Sequence, residues 1–253
     1  MSTANPNKET AKKKRVLLLH GFGDDERSFE VLAPLLESTL EPKYVDYYTL
    51  CDDLPLGQVT AASYAERIIE KHNITTDDIL LGHSMGGYIA HAIRQQIEVP
   101  VISIGSFTQP QKVRYPFMQF WLIRVAIFLG FFSKWLLVIG GWLKYRNAEG
   151  KVEATISAEV LSAQTRHTLY RLLRTFFIDP PAAGPPPQLA FHGIKDDVVA
   201  PPDYLHLALA GNHFIHRTRA ILIARHILLW HAGEVLYDSL YPIGNTGQLT
   251  EQT

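Results

Sequence analysis

The sequence predicts an α/β protein: a mostly parallel sheet flanked by helices, interrupted once by an inserted helical segment. Three observations predict it. Short continuous apolar runs alternate with runs of helical period through the first hundred or so residues, and again toward the C-terminal end. The run Gly82-His83-Ser84-Met85-Gly86 lies between one such strand and the helix after it. Between Gln109 and Pro181 the alternation stops without another strand, and part of the chain turns strongly apolar.

Taken in order, Val16-Leu17-Leu18-Leu19 reads as a buried strand that ends in the turn His20-Gly21-Phe22-Gly23. Ser28 to Leu40 places Phe29, Val31, Leu32, Leu35, Leu36 and Leu40 at helical spacing. Tyr44 to Leu50 reads as a second strand from its tyrosines and valine. Ala61 to Lys71 is a helix, Ile79-Leu80-Leu81 a strand, Met85 to Gln96 a helix, and Val99 to Ile104 a strand broken by Pro100. The pattern resumes with strands at Leu189-Ala190-Phe191 and Tyr204 to Leu209, and His216 to Trp230 closes as a helix. The expected organisation is a basic arm over 1–14, a core built from 15–107 and 182–241, a helical lid over 108–181, and a flexible tail over 242–253.

A chain of 253 residues can form one domain around one core, and 47 % hydrophobic residues are ordinary for it. A net charge of −1 supplies no long-range pull toward nucleic acid, and the run Lys12-Lys13-Lys14-Arg15 reads as a solvated arm. Cys51 is the single cysteine, and Met1 to Thr10 lacks the apolar stretch of a secretory signal, so a reducing, cytoplasmic setting is expected.

The chemistry centres on Ser84. G-x-S-x-G alone is weak, since average residue usage yields a match in about a tenth of chains this long. Strand, sharp turn and helix around it make it specific. A nucleophile pushed out at such a turn has strained torsions, and side chains two residues to either side would collide. Gly82 and Gly86 remove those side chains. Met85 then opens the following helix, where an unpaired backbone N–H faces incoming negative charge. The amides of Phe22 and Met85 are the expected pair of oxyanion-hole donors. A serine hydroxyl needs a base, and the base needs a carboxylate to fix its tautomer. The late strands supply both: Gly193-Ile194-Lys195-Asp196-Asp197 beyond one and Gly211-Asn212-His213 beyond the next. His213 is the expected base and Asp196 its partner, with Asp197 the competing carboxylate.

These motifs together, in the order Ser, Asp, His, resemble the α/β-hydrolase superfamily, in particular its lidded esterase, lipase and C–C hydrolase branch. The resemblance implies Ser84 as nucleophile, Phe22 and Met85 as oxyanion amides, Asp196 in the family's G-x-x-D turn and His213 in its G-x-H turn. It covers most of the chain outside the insert, although fewer strands precede Ser84 than in the full version of the fold.

The implied reaction is acyl transfer from a small-molecule carboxylic ester or thioester, requiring no metal or other cofactor. C–C bond hydrolysis, lyase or perhydrolase chemistry, or a ligand receptor on the same fold, remain open alternatives. His213 and His216 stand three apart, but no cluster completes a metal shell around them. The apolar insert is expected to roof Ser84 with Phe128 and Trp135 as substrate-binding residues, and to favour a hydrophobic acyl group. Arg124 and Lys134 interrupt it as a membrane span, which leaves weak membrane-surface contact or a homodimer as further uses for it.

Overall fold

The computed structural model describes residues 13–114, 120–131, 133–135, 138–139, 151–178, 180–182, 184–234 and 248–250. Most of the expected arm and tail lie outside these residues, as do Phe117, Phe132 and Trp142 of the insert. Among the described residues seven strands form one parallel sheet in the order β2-β1-β3-β4-β5-β6-β7. They are β1 (Lys14–Leu19), β2 (Leu40–Val45), β3 (Ile79–His83), β4 (Val101–Ile104), β5 (Leu189–Gly193), β6 (His206–Leu209) and β7 (Gln248–Thr250).

The apolar runs form central strands because both faces of the sheet are covered. Leu17 and Leu19 of β1 and Leu80 of β3 enter one apolar cluster, while Val16, Leu18, Ile79 and Leu81 enter the other. Helices α2 (Ala61–His72) and α3 (Met85–Arg94) pack on the first face, and α1 (Ala33–Leu36) packs on the second.

Four local expectations shift. The helix expected over Ser28–Leu40 is a 3₁₀ turn at Glu26–Phe29 followed by α1, with Pro34 in its first turn. Its apolar period is nevertheless used, since Phe29, Leu32, Leu36 and Leu40 are all buried. The second strand starts four residues earlier than expected; as the edge strand of the sheet it tolerates Pro42. Tyr47 and Tyr48, read as strand residues, lie in the loop beyond it. The closing helix is split at Arg219 into Ile215–Thr218 and Ala220–His231. Within the expected flexible tail, Gln248–Thr250 pairs in parallel with β6.

Between β4 and β5 the described residues form α4 (Phe120–Phe128), α5 (Lys151–Ala163) and α6 (Arg166–Phe177), with no β-strand among them. The two helices of the C-terminal part are α7 (Ile215–Thr218) and α8 (Ala220–His231), and α8 packs on the same face as α1. Helix α6 is amphipathic and merges with the core, burying Leu169, Leu172 and Phe176 in the α2/α3 cluster. The Tyr88 hydroxyl of α3 donates to the Thr175 carbonyl of α6 at 3.0 Å.

Candidate active site

Ser84 stands at the turn between β3 and α3 with φ 51° and ψ −119°, a left-handed conformation that L-residues rarely adopt. Its backbone is over-determined. The Ser84 N–H donates to the Ile104 carbonyl at 3.0 Å, and the Ser84 carbonyl accepts from the Ser106 hydroxyl at 2.6 Å. A Cβ on Gly82 would run into the Gly87 backbone, and one on Gly86 would run into the Leu19 carbonyl. Glycine at both positions therefore follows from how closely the turn packs against β1 and α3. Ser84 is half-buried while its neighbours on both sides are buried, so the turn offers this side chain to solvent.

Asp196 follows β5 and His213 follows β6, and parallel pairing of these two strands brings the loops together. His213 Nδ1 lies 2.8 Å from Asp196 Oδ2, and both residues are only 3 % exposed. The other carboxylate oxygen accepts the Val198 and Val199 amides, each at 2.8 Å. Burial pushes the Asp196 carboxyl up, but the His213 charge and these hydrogen bonds outweigh it and hold its pKa at about 2. Asp197 is exposed. His192 Nδ1 lies 4.0 Å from the same Asp196 Oδ2; burial holds its imidazole neutral, with a pKa of about 4.

The Ser84 turn and the His213 loop adjoin each other through His83. Its Nε2 lies 3.2 Å from the His213 carbonyl oxygen, and the two rings are 4.8 Å apart. Gly105 (φ +52°), just beyond β4, fits beneath the pair: a Cβ there would sit 3.3 Å from His213 Nδ1 and 3.5 Å from Asp196 Oδ2.

The loop after β1 lies against Ser84, since a Cβ on Gly21 would be 3.3 Å from the Ser84 Cβ. The Tyr48 hydroxyl accepts the Gly23 and Asp24 amides at 2.7 and 3.1 Å, and the Tyr47 hydroxyl donates to the His20 carbonyl at 2.5 Å. The His20 ring stacks on both tyrosines. Among the described residues no acceptor is paired with the amide of Phe22 or of Met85. Sequence reasoning missed Tyr48, because a tyrosine-rich run reads as a strand and nothing local tells a β-forming tyrosine from one that ties a distant loop.

Asp24, His83 and His216 also converge, their ligand atoms lying within 4.8 Å of one another. Both nitrogens of His216 and the Nδ1 of His83 are buried without a hydrogen-bond partner. Asp24 Oδ2 is 3.8 Å from His83 Nδ1, too long for a hydrogen bond and longer than the roughly 3.3 Å between two ligands of one tetrahedral zinc. A recess of about 440 Å³ lined by His20, Tyr48, Arg27 and Glu159 opens beside the loop, and Ser84, Asp196 and His213 are not part of its wall.

Phe128 and Trp135, expected to bind substrate, are 63 % and 66 % exposed, so neither packs into this buried site. Among the described residues of the insert, Lys112–Arg114 pair with Val198–Ala200 beside Asp196, and helix α5 reaches the loop after β1. A Cβ on Gly23 would strike Ser157 and lie 3.3 Å from Leu161.

A sequence profile described as the alpha/beta hydrolase family matches residues 16–238. The chain belongs to that family. No curated protein sequence matches it. Among solved structures it is similar to an esterase from Exiguobacterium antarcticum (18 % identity, 86 % of this chain and 91 % of that one, TM-score 0.63). It is also similar to an enol-lactonase from Burkholderia xenovorans (15 % identity, 89 % and 94 %, TM-score 0.65). A third is the RedJ thioesterase of the prodiginine pathway in Streptomyces coelicolor (21 % identity, 93 % and 95 %, TM-score 0.51). Identities this low establish a shared fold, and with the family match they support a hydrolase.

Proposed function

We propose that this protein is a serine hydrolase that cleaves a carboxylic ester or thioester through an acyl-enzyme on Ser84. The observation that carries the reading is the buried 2.8 Å contact between His213 Nδ1 and Asp196, on loops adjoining a serine in a left-handed turn. The carboxylate fixes the Nδ1–H tautomer, which leaves Nε2 as the base. His213 takes the Ser84 proton as Oγ attacks the carbonyl carbon. The resulting oxyanion accepts from the Phe22 and Met85 amides. As the C–O or C–S bond breaks, the imidazolium returns its proton to the leaving alcohol or thiol. Water, deprotonated by His213, then releases the acid and restores Ser84.

A hydrophobic acyl group is favoured because Ile156, Val160 and Leu161 of α5 share one apolar cluster with Met85, against which Phe22 packs. Helix α5 acts as the roof in this reading, and the lid expected over 108–181 is proposed to consist mainly of α5 with α4. The similar esterase and thioesterase are consistent with either leaving group.

The test is Ser84→Ala on p-nitrophenyl esters of graded chain length and on acyl thioesters, with fluorophosphonate labelling alongside. Turnover should fall on the order of 10⁶-fold and labelling should vanish. A folded variant that keeps a tenth of wild-type activity overturns the proposal.

A further inference from the structure

We infer that the exposed face of α4, together with Leu129, Phe131 and Trp135, is a membrane-docking surface whose partner is the headgroup region of an anionic lipid bilayer. Helix α4 is apolar but for Arg124, and among the described residues one side of it packs against the core. Ile127 is buried, Phe120 and Ile123 pack against the core, and the Ile127 carbonyl accepts the Tyr170 hydroxyl at 3.0 Å. The opposite side presents Trp121, Val125, Phe128 and Leu129, and Phe131 and Trp135 continue the patch with 73 % and 66 % exposure. An ordinary surface helix turns its polar face to water; this one turns large aliphatic and aromatic side chains outward.

Charge selects the partner. Between Glu98 and Glu149 the sequence holds six Lys and Arg and no Asp or Glu, although the whole chain has 24 basic against 25 acidic residues. The bias lies in the sequence segment that carries the apolar patch, with Lys112 paired to Asp203 outside it. Arg124 and Lys134, which lie within the span of the patch, are held by backbone carbonyls: Arg124 at Ile178, and Lys134 at Ser162 and Gln164. A carbonyl orients a cation without cancelling its charge. Self-association through this face would bring like charges together, whereas an anionic lipid surface would neutralise them. No helix among the described residues is long and apolar enough to cross a membrane. The fitting geometry is a helix lying in the interface plane, with tryptophans at headgroup level and basic side chains toward phosphate.

The experiment sediments the full chain with vesicles of phosphatidylcholine alone and of phosphatidylcholine mixed with phosphatidylglycerol, at low and high salt, beside size-exclusion light scattering. Pelleting with the anionic vesicles is expected, weaker by about tenfold or more in high salt or without phosphatidylglycerol. Trp121→Ser/Leu129→Ser should weaken it by about tenfold or more at an unchanged thermal melt. Should that variant not fold, Arg124→Glu, at an exposed position, should produce a similar loss. No pelleting, pelleting indifferent to lipid charge and salt, or a dimer that Trp121→Ser dissociates while vesicles are ignored would each overturn the inference.

Discussion

Asp196 and Asp197 are neighbours in sequence with opposite surroundings. One carboxylate is buried against His213 and two amides, and the other faces solvent. Under the proposed mechanism Asp196→Asn should cost about 10⁴-fold in kcat, because an amide fails to hold the imidazole in its working tautomer. Asp197→Asn should stay near wild type, and ester kinetics on the two purified variants check the pair. The same contacts set a pH dependence. The folded pKa of Asp196, about 2, lies below the ordinary 3.8, so its stabilising share is present above pH 4 and is lost as pH falls toward 2. In urea melts Asp196→Asn should lack that acid limb. The motif spacing singled out Asp196 from sequence alone, but the Tyr48 hydroxyl that ties the His20–Asp24 loop was invisible there, being 24 and 25 residues from its partners.

At the scale of elements, α5 is tied to the core by ion pairs with Arg217 of α7 and with Arg27. Glu153 is buried and its Oε1 lies 2.9 Å from Arg217 Nε, while Arg27 reaches Glu159 at 2.6 Å. Removing one partner of a buried ion pair strands the other charge. Arg217 keeps Glu30 at 2.5 Å, so Glu153→Ala should cost about 2 kcal/mol rather than the full amount, visible in denaturant unfolding. Helix α4 tests the acyl-binding expectation separately. If Phe128 and Trp135 touch substrate despite their exposure, Phe128→Ser and Trp135→Ser should raise KM more for long acyl chains than for acetate. Each methylene that loses its apolar contact is worth about 0.8 kcal/mol. An unchanged KM series would confine acyl binding to the α5 side.

At the scale of the whole molecule, burial has left an unusual number of neutral imidazoles inside. His20, His83, His91, His192, His206 and His216 are buried, and burial is the largest cause lowering each of their pKa values, to about 4 for His91 and His192. An unfolded histidine takes up its proton near 6.5 and these folded ones resist it, so the unfolded state binds more protons between the two values. Stability is fully present above pH 6.5 and drains away as pH falls toward 4, by on the order of 3 kcal/mol for each of His91 and His192. Thermal melts at pH 7.5, 6 and 5 should step downward, and a flat Tm across that range would contradict this account.

Periodicity and motif order in the sequence determined the layered α/β plan, the turn around Ser84 and the pairing of His213 with Asp196. Those features are local: apolar runs covered on both faces, glycines demanded by a tight turn, side chains placed just beyond strand ends. Tertiary structure decided what depends on distant partners. It placed β2 earlier than its tyrosines suggest, because Tyr47 and Tyr48 spend their hydroxyls on the His20–Asp24 loop. It drew α6 into the core and left Phe128 and Trp135 outside. Apolar residues in a helix look alike in sequence, and only the surface packed against them settles which are buried.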